Sequence, residues 1–413
     1  MYFEINYYSG LLLPIVLQGM IYGCLMVGRG WKEQHLADRL LGFFLILSAL
    51  RVTQWMLGFG TWYNNKDAQT QFMYYFPWDW TWFLGPLLYF YFRALTNSDF
   101  RIRGKHWWHF AIGSLLILGN LIAAVGDLVI SQWWLGQELP YDRGSYGLIR
   151  DQGLGIVGDV LSVLAEPVSL VYWGYTYFLY RRYQRYVNDN FSETSDISFK
   201  WLGRFLPLML VAFTLWLIRN LLLDLGWLSQ DAYVTSWYFY LAWGVVIYYL
   251  SIQGHSAHTH LRQIINFRPA ELSTPNLAEQ SSSSTEELAE MQETAVRVEQ
   301  FLEENPLYLE PDLNLKRLAT ALRLPASQIS QAVNSVKGKN FNEFINAYRV
   351  RRVQELLASD KAEELSLLGI AFESGFNSKA TFNRVFKQYT GKTPSQYLKV
   401  TTSGKSAEKG VLS

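Results

Sequence analysis

In the first 254 positions, the residues best suited to bind a ligand or form ion pairs are ionisable side chains inside long apolar stretches. Two are cations and five are acids: Arg51, Asp79, Asp127, Asp159, Glu166, Arg219 and Asp224. A charged group in apolar surroundings is costly unless it is paired or hydrated. The pattern therefore fits either ion pairs and hydrogen bonds between helices, or a polar pocket for a ligand. The candidate pocket residues are Arg51, Asp79, Asp127, Glu166 and Arg219.

Histidines form two spacings that can ligate a metal. His106 and His109 make an H-x-x-H, and His255, His258 and His260 make an H-x-x-H-x-H. No nearby carboxylate or Cys completes either set, so polar residues beside a membrane surface are the favoured interpretation, and we expect neither a metal nor a cofactor. The single cysteine, Cys24, excludes a disulfide framework.

Catalytic motifs are not recognisable in this sequence. It has no glycine-rich phosphate loop, and its Ser, His and Asp residues do not fall into a known catalytic order. We therefore expect no catalytic residues and no enzyme activity.

Seven apolar stretches precede position 254, in a chain of 413 residues that is long enough for two or three domains. Each approaches or exceeds the ~20 residues that cross a bilayer. All 16 Trp lie between Trp31 and Trp243, within the same part of the chain. The stretches cover residues 9–28, 37–60, 72–95, 107–130, 155–180, 203–225 and 235–253.

Basic residues are unevenly divided between alternate loops of this region. Loops one, three and five hold three, four and five Lys or Arg, whereas the intervening loops hold only Lys66, Arg143 and Arg150. By the positive-inside rule the odd-numbered loops face the cytoplasm. The N-terminus is then outside, and everything after Gly254 is inside.

An acidic linker follows. Residues 270–310 contain ten acids and one base, Arg297, with the Ser281–Ser284 run in the middle. From position 288 apolar residues recur in steps of three and four: Leu288, Met291, Ala295, Val298 and Leu302. This pattern predicts either the first helix of the next domain or a short dimerising stalk.

Residues 312–400 hold 14 Lys and Arg against 7 acids, a balance that suits a polyanion such as nucleic acid. Their apolar spacing predicts a helix with one face formed by Leu315, Leu318, Ala319 and Leu322. Pro325 breaks the chain before a second helix, Ala326 to Val336, and the two make a helix-turn-helix.

A long helix from Phe341 to Ala358 comes next, and then the arrangement repeats. The long helix is expected to place Phe344, Ile345, Tyr348, Val353, Leu356 and Leu357 on its apolar face and Arg349, Arg351 and Arg352 on its polar side. A scaffold helix is expected around Leu367, Leu368, Ile370 and Ala371. Gly375 supplies the turn, and Ser378 caps a helix that runs to Tyr389.

The run IAFESGFNSKATFNRVFKQYTGKTPSQYLK, Ile370 to Lys399, resembles the signature of the AraC/XylS family of bacterial transcription regulators. With the upstream helix-turn-helix, the resemblance covers about residues 291–400. It implies two helix-turn-helix units that read successive major-groove segments of double-stranded promoter DNA, with RNA polymerase as a partner and no catalysis.

The resemblance also implies which residues contact DNA. On the first recognition helix and just after it they are Ser327, Gln328, Ser330, Gln331 and Lys337. On the second they are Lys379, Thr381, Asn383, Arg384 and Lys387, the last as a phosphate contact. Arg384 can pair with guanine, and Gln331 or Asn383 with adenine.

Two features depart from the family pattern. Arg323 stands where a turn glycine is common, and residues 324–336 contain no Lys or Arg, so the first recognition helix is expected to be the weaker reader. The family's usual soluble sensor is also replaced by the apolar region.

These observations predict an all-α protein, with a polytopic membrane helix bundle followed by a cytoplasmic double helix-turn-helix domain. The expected parts are a transmembrane sensor of about seven helices at 1–254, a linker at 255–290, the DNA-binding domain at 291–400 and a disordered tail at 401–413. The predicted function is a regulator in the bacterial inner membrane, in contact with the lipid bilayer. A small-molecule or membrane signal would activate target promoters through it, and homodimerisation is compatible with this mechanism.

Two alternatives stay open. One is a transporter or membrane enzyme whose DNA-binding domain regulates its own operon. The other is a latent factor that is released by proteolysis near Ser281–Ser284.

Overall fold

The computed structural model describes residues 3–64, 68–138, 155–194, 197–227, 232–257, 267, 285–359 and 364–399. The protein is all-α. Within those ranges there is no strand, and the only β-type pairing is an isolated antiparallel bridge between Phe191 and Asn314. The chain divides into two compact units: Met1–Arg181 with Lys200–Phe267, and Arg182–Phe199 with Arg268–Ser413.

The first unit is built from eight α-helices in its described part. They are α1 (Tyr7–Lys32), α2 (Leu36–Phe59), α3 (Ala68–Tyr75), α4 (Thr81–Thr96), α5 (Ala111–Ala124), α6 (Gly155–Asn190), α7 (Lys200–Asp224) and α8 (Ala232–Ala257). A 3-10 segment, Gly104–Phe110, leads into α5, and a π-helical segment, Val125–Trp134, continues it.

Two glycines allow α1 and α2 to approach closely. A Cβ on Gly23 would lie 3.0 Å from the carbonyl oxygen of Gly42, and a Cβ on Gly42 would lie 2.7 Å from that of Gly23. Small residues at a helix crossing bring the backbones together and increase dispersion contacts, which is how helices associate in lipid. Arg29 and Asp38 add an ion pair of 2.8 Å between the same helices.

Four helical segments among the described residues are long and apolar enough to cross a membrane. They are Tyr7–Lys32, Leu36–Phe59, Gly104–Trp134 and Lys200–Leu223. They coincide with four of the seven predicted stretches. The stretches at 72–95, 155–180 and 235–253 also contain helices, but these do not meet the same criteria.

The three remaining stretches differ from the other four in ways that the sequence makes plain. Helix α4 has only 16 residues, and α6 contains Glu166 and Pro167. Helix α8 is rich in Tyr and Trp, whose polar atoms lower its mean hydropathy. Seven spans therefore stay a prediction. The Ser281–Ser284 run and the 401–413 tail lie outside the described residues.

Besides a short helical stretch at residues 394–399, the second unit contains six further α-helices in its described part. They are α9 (Thr285–Glu304), α10 (Leu315–Leu322), α11 (Ala326–Lys337), α12 (Phe341–Ala358), α13 (Leu367–Glu373) and α14 (Lys379–Thr390). Polar caps set where several of them begin. Asn314, Asn340, Ser366 and Ser378 each accept a hydrogen bond from a backbone N–H in the first turn of the helix that follows.

Two apolar cores lie in this unit, and α12 contributes to both. Its first half places Phe341, Phe344 and Ile345 in one core, and its second half places Val353 and Leu357 in the other. Helices α10 and α11 complete the first core, and α13 and α14 complete the second. One continuous helix therefore connects two helix-turn-helix units.

The same packing identifies the role of α9. Val298 and Leu302 are fully buried in the first core, whereas Leu288, at the other end of the pattern, is 45% exposed. The second half of α9 is thus the first helix of the domain, which was one of the two interpretations. The first half extends beyond that core.

Arg349 corrects one expectation about α12. Its spacing placed it on the polar side of the helix, but its side chain is completely buried. The guanidinium donates to the carbonyl oxygens of Tyr308 and Glu310, both at 2.8 Å. Backbone acceptors from a distant segment explain the burial, and helical periodicity carries no information about them.

The turns of the two helix-turn-helix units use left-handed backbone. Arg323 ends α10 at φ +56°, a conformation that glycine adopts more easily, so the missing turn glycine is replaced by a residue in the same geometry. Gly375 has φ +89°, and a Cβ there would lie 2.5 Å from the carbonyl oxygen of Tyr308.

Replacing Gly375 by Ala should destabilise the second unit more than the matched change at Gly391. Both residues have positive φ, but Gly391 has open space where a Cβ would stand. Gly391→Ala should cost roughly 1–2 kcal/mol of left-handed strain, and Gly375→Ala should cost more because of the added clash. Hydrogen exchange of α13 and α14 in the full chain measures the difference, and equal effects would contradict the crowding at Gly375.

Candidate functional site

Helix α14 presents a polar face that no other part of the described structure covers. Lys379, Asn383, Arg384 and Lys387 are all exposed. They share one side of the helix because residues three and four positions apart lie above each other. Among the described residues, none of the four makes a side-chain hydrogen bond or ion pair, so these donors are available to a ligand.

The opposite face of α14 fixes the helix in the domain. Phe382, Val385 and Phe386 are buried in the second core, and the Tyr389 hydroxyl donates to the carbonyl oxygen of Glu343 at 2.6 Å. Burial raises the pKa of Tyr389 to about 12, so its hydroxyl stays protonated as this donor at any physiological pH. The exposed face is therefore held on a rigid support.

Thr381 lies on the supported side of α14 and not among the exposed residues. It is 4% exposed, its backbone N–H donates to the Ser378 side chain, and its hydroxyl donates to Glu193 at 3.3 Å. This arrangement does not present Thr381 to a DNA base. The predicted DNA-contacting residues that share the exposed face are the other four of that helix.

Helix α11 offers a weaker surface. Ser327 and Gln331 are exposed and Ser330 is half-buried. The side-chain amide of Gln328 donates to Glu290 at 3.2 Å and to Thr294 at 3.3 Å, both on α9. Lys337 forms an ion pair of 2.8 Å with Glu299, which is also on α9. The extended acidic helix α9 therefore engages two of the five predicted DNA contacts of the first helix-turn-helix.

Two exposed side chains beside these helices were not predicted as contacts. Gln388 lies one turn beyond Arg384 on α14, and Arg351 on α12 stacks over the Tyr348 ring at 5.7 Å. Gln388 follows Arg384 by four positions, and this spacing could have predicted from the sequence that the two share one face of the helix. Both residues enlarge the set of donors that the second unit offers.

Some of the residues predicted to line a ligand pocket form a polar cluster in the first unit. Arg51 binds Asp79 at 2.5 Å and also contacts Thr81, and its other nitrogen lies 3.6 Å from Glu166. Glu166 further accepts from the indole of Trp216 at 3.0 Å. Three of the five candidates thus meet in one ion-pair network between α2, the residues just before α4, and α6.

The other two candidates behave differently. Arg219 lies over the Trp216 ring at 4.9 Å and donates to Asn220 at 3.1 Å, which places it at the edge of the same cluster. Asp127 is fully buried in the π-helical segment and accepts from the Tyr75 hydroxyl at 3.1 Å. The side chains of Asp159 and Asp224 lie outside the described residues.

The described histidines take part in local contacts. His106 accepts the backbone N–H of Arg103 at 3.0 Å, and His109 lies 2.5 Å from the Tyr172 hydroxyl. Within the described ranges, no group of three His, Cys, Asp or Glu side chains is arranged to hold a metal ion. His258 and His260 are outside those ranges.

Comparison with known proteins identifies the second unit. A family model described as a helix-turn-helix domain matches residues 318–399. An uncharacterised HTH-type transcriptional regulator of Staphylococcus aureus strain COL is 30% identical over 102 residues, which are 24% of this chain and 13% of that protein. The probable transcription factor PqrA of Proteus vulgaris is 38% identical over 61 residues, 15% of this chain and 48% of that protein.

The chain thus spans about an eighth of the length of the staphylococcal regulators that it matches. A solved structure from Listeria innocua, titled as a protein of unknown function, is 32% identical with a TM-score of 0.22. The match covers 25% of this chain and 92% of the Listeria chain. The helix-turn-helix model lies within the second unit, and together with the sequence relatives it supports a DNA-binding transcription regulator.

Substitutions at Arg384 and Lys387 should separate base reading from phosphate binding. Arg384→Ala should cost roughly 1–3 kcal/mol on the preferred DNA and relax the preference at one position. Lys387→Ala should weaken binding to all sequences and reduce the slope of log affinity against log salt by about 0.9. Salt titrations on DNA selected from a random pool measure both effects. Identical profiles for the two variants would contradict the assignment.

Proposed function

We propose that this protein is a transcription regulator of the AraC/XylS type, held in the inner membrane of a bacterium by its first unit. The carrying observation is the second unit, where two helix-turn-helix units share α12 and α14 turns four uncommitted polar side chains outward. The matches to helix-turn-helix regulators support the same conclusion.

Two reading helices on one chain fit two successive major-groove segments. Half-sites for such helices are separated by about one helical turn of DNA, roughly 10 base pairs. Because α11 has fewer free donors than α14, specificity should reside mainly in the half-site that α14 reads. A second protomer would double the number of half-sites, which makes a homodimer compatible with this site.

Membrane anchoring is supported by the surface of the first unit. Long apolar side chains are exposed along its helices, including Leu115 at 65%, Leu208 at 66% and Val211 at 57%. Exposed Trp pairs flank the apolar run of α5, with Trp108 at 79% and Trp133 at 81%. Tryptophan favours the two interfaces of a bilayer, so this distribution fits a spanning segment.

Signal sensing is proposed for the polar cluster around Arg51. Asp79 is half exposed within it, so one carboxylate of the ion-pair network is accessible to a polar ligand. A ligand that exchanges for Asp79 on the guanidinium would change the contacts between α2 and α4. We expect such a change to activate target promoters, with RNA polymerase recruited at those sites.

Genome-wide mapping tests the DNA-binding part of the proposal. Chromatin immunoprecipitation of the full-length chain should enrich discrete fragments, and Arg384→Ala should abolish most of this enrichment at equal protein level. Membrane fractionation of the same cells should find the intact chain in the inner membrane. A soluble C-terminal fragment in those cells would instead favour release by proteolysis, and enrichment confined to its own promoter would favour an autoregulated transporter or enzyme.

Neutralising Arg51 should alter signalling, whereas neutralising Arg29 should not. Both side chains form an ion pair with an Asp, at 2.5 Å for Arg51 and 2.8 Å for Arg29, but only Arg51 belongs to the polar cluster. A reporter fused to an enriched promoter should therefore change its response with Arg51→Gln and keep it with Arg29→Gln at matched membrane levels. Equal responses from both variants would show that the cluster is structural.

A further inference from the structure

A short polar segment between α6 and α7 is buried in the second unit, where sequence alone suggests an exposed loop. Ser192 is 0% exposed, and Glu193 and Thr194 are each 7% exposed. Loops between helices normally run over the surface because their backbone groups need water. The burial of this segment, Phe191–Thr194, therefore requires specific partners.

The first partner is the entrance to α10. Phe191 and Asn314 form the isolated antiparallel bridge. The backbone N–H of Ser192 donates to the carbonyl oxygen of Leu313 at 3.1 Å, and its hydroxyl donates to the same oxygen at 2.6 Å. The segment is thus paired like a one-residue strand with the start of the first helix-turn-helix.

The second partner is one face of α12. Asn342 donates its side-chain amide to the carbonyl oxygen of Ser192 at 2.6 Å, and Arg349 donates to the Ser192 hydroxyl at 3.0 Å. Asn346 lies between them on the same face, and its amide reaches the Ser192 carbonyl oxygen at 3.5 Å. Three polar side chains of the connecting helix therefore converge on a single serine.

The third partner is α14. Glu193 accepts the Thr381 hydroxyl at 3.3 Å in the first turn of this helix. Burial lowers the pKa of Arg349 to about 10, and the carboxylates of Glu193 and Asp312 oppose that shift. Arg349 is therefore charged at neutral pH, and Glu193 supplies nearby negative charge beside the N-terminus of the second reading helix.

These contacts give the segment an unusual position. It touches the entrance to the first helix-turn-helix, the helix that joins the two units, and the second reading helix. The relative orientation of the two reading helices depends on those three parts. Along the chain, the segment directly follows α6, which ends at Asn190, and it lies in the loop that leads to Lys200 at the start of α7.

We propose that the Phe191–Thr194 segment is the input element of the DNA-binding unit: when docked it restrains the two reading helices and lowers their affinity for DNA, and its release raises that affinity. This inference rests on the proposed function. The sense of the effect follows from charge. A carboxylate at the N-terminal turn of α14 opposes the binding of phosphates to a helix end that otherwise attracts them.

A reversible disulfide tests the proposal in the full-length chain. Opposed residues of an antiparallel bridge lie about 4.5–5.5 Å apart at Cα, which suits a disulfide. Phe191→Cys with Asn314→Cys, in a Cys24→Ser background that removes the only native cysteine, should lock the segment when oxidised. The DNA probe is the set of fragments enriched by the wild-type chain in chromatin immunoprecipitation.

The oxidised protein should bind this DNA at least about threefold more weakly than the same protein after reduction. The reduced form is the matched control, because it carries the same loss of the Asn314 cap. Independently, Glu193→Gln should raise affinity about threefold, the effect expected for one charge near the phosphates in a largely aqueous medium. Glu304→Gln removes an exposed acid at the end of α9 and should have a smaller effect.

The outcomes are distinguishable. Failure of the wild-type chain to enrich any DNA would overturn the proposed function and this inference with it. Normal DNA binding with no disulfide on oxidation would show that the segment is not docked. Equal affinity of the oxidised and reduced forms, or tighter binding by the oxidised form, would overturn the inhibitory role and leave the proposed function standing.

Discussion

The buried guanidinium of Arg349 is the interaction on which the second unit depends. It binds the carbonyl oxygens of Tyr308 and Glu310, which precede α10, and the hydroxyl of Ser192, which lies more than a hundred residues earlier in the chain. A buried cation without acceptors would be strongly destabilising, so the 308–310 segment and the loop around Ser192 must both meet α12. The helix is thereby fixed at its middle, between the two apolar cores.

That arrangement determines how the DNA-binding surface is supported. The carbonyl oxygen of Tyr308 accepts from Arg349 and also lies against Gly375, where a side chain would collide with it. The entrance to the first helix-turn-helix therefore touches the turn of the second. The exposed donors of α14 stand on a scaffold whose parts are mutually constrained, which is the condition for reading two DNA segments with defined spacing.

Much of this could be predicted from single residues and their neighbours. Asn340 and Ser378 mark helix starts because their side chains cap local N–H groups, and α12 begins and ends at the predicted residues, Phe341 and Ala358. The exposed Lys379 and Arg384 were predicted from the family signature. The placement of Thr381 was not, because its partner, Glu193, comes from a loop that local sequence describes only as polar.

Sequence by itself determined the all-α class, the apolar first half, the basic last hundred residues and the helix-turn-helix pattern, because composition, helical periodicity and capping are local properties. Tertiary structure alone decided that Arg349 is buried, that Gln328 and Lys337 are engaged by α9, and that Arg51, Asp79 and Glu166 form one network. It also joined the loop around Ser192 to the DNA-binding unit. The physical reason is that buried polar groups must find partners, and those partners lie far away in sequence.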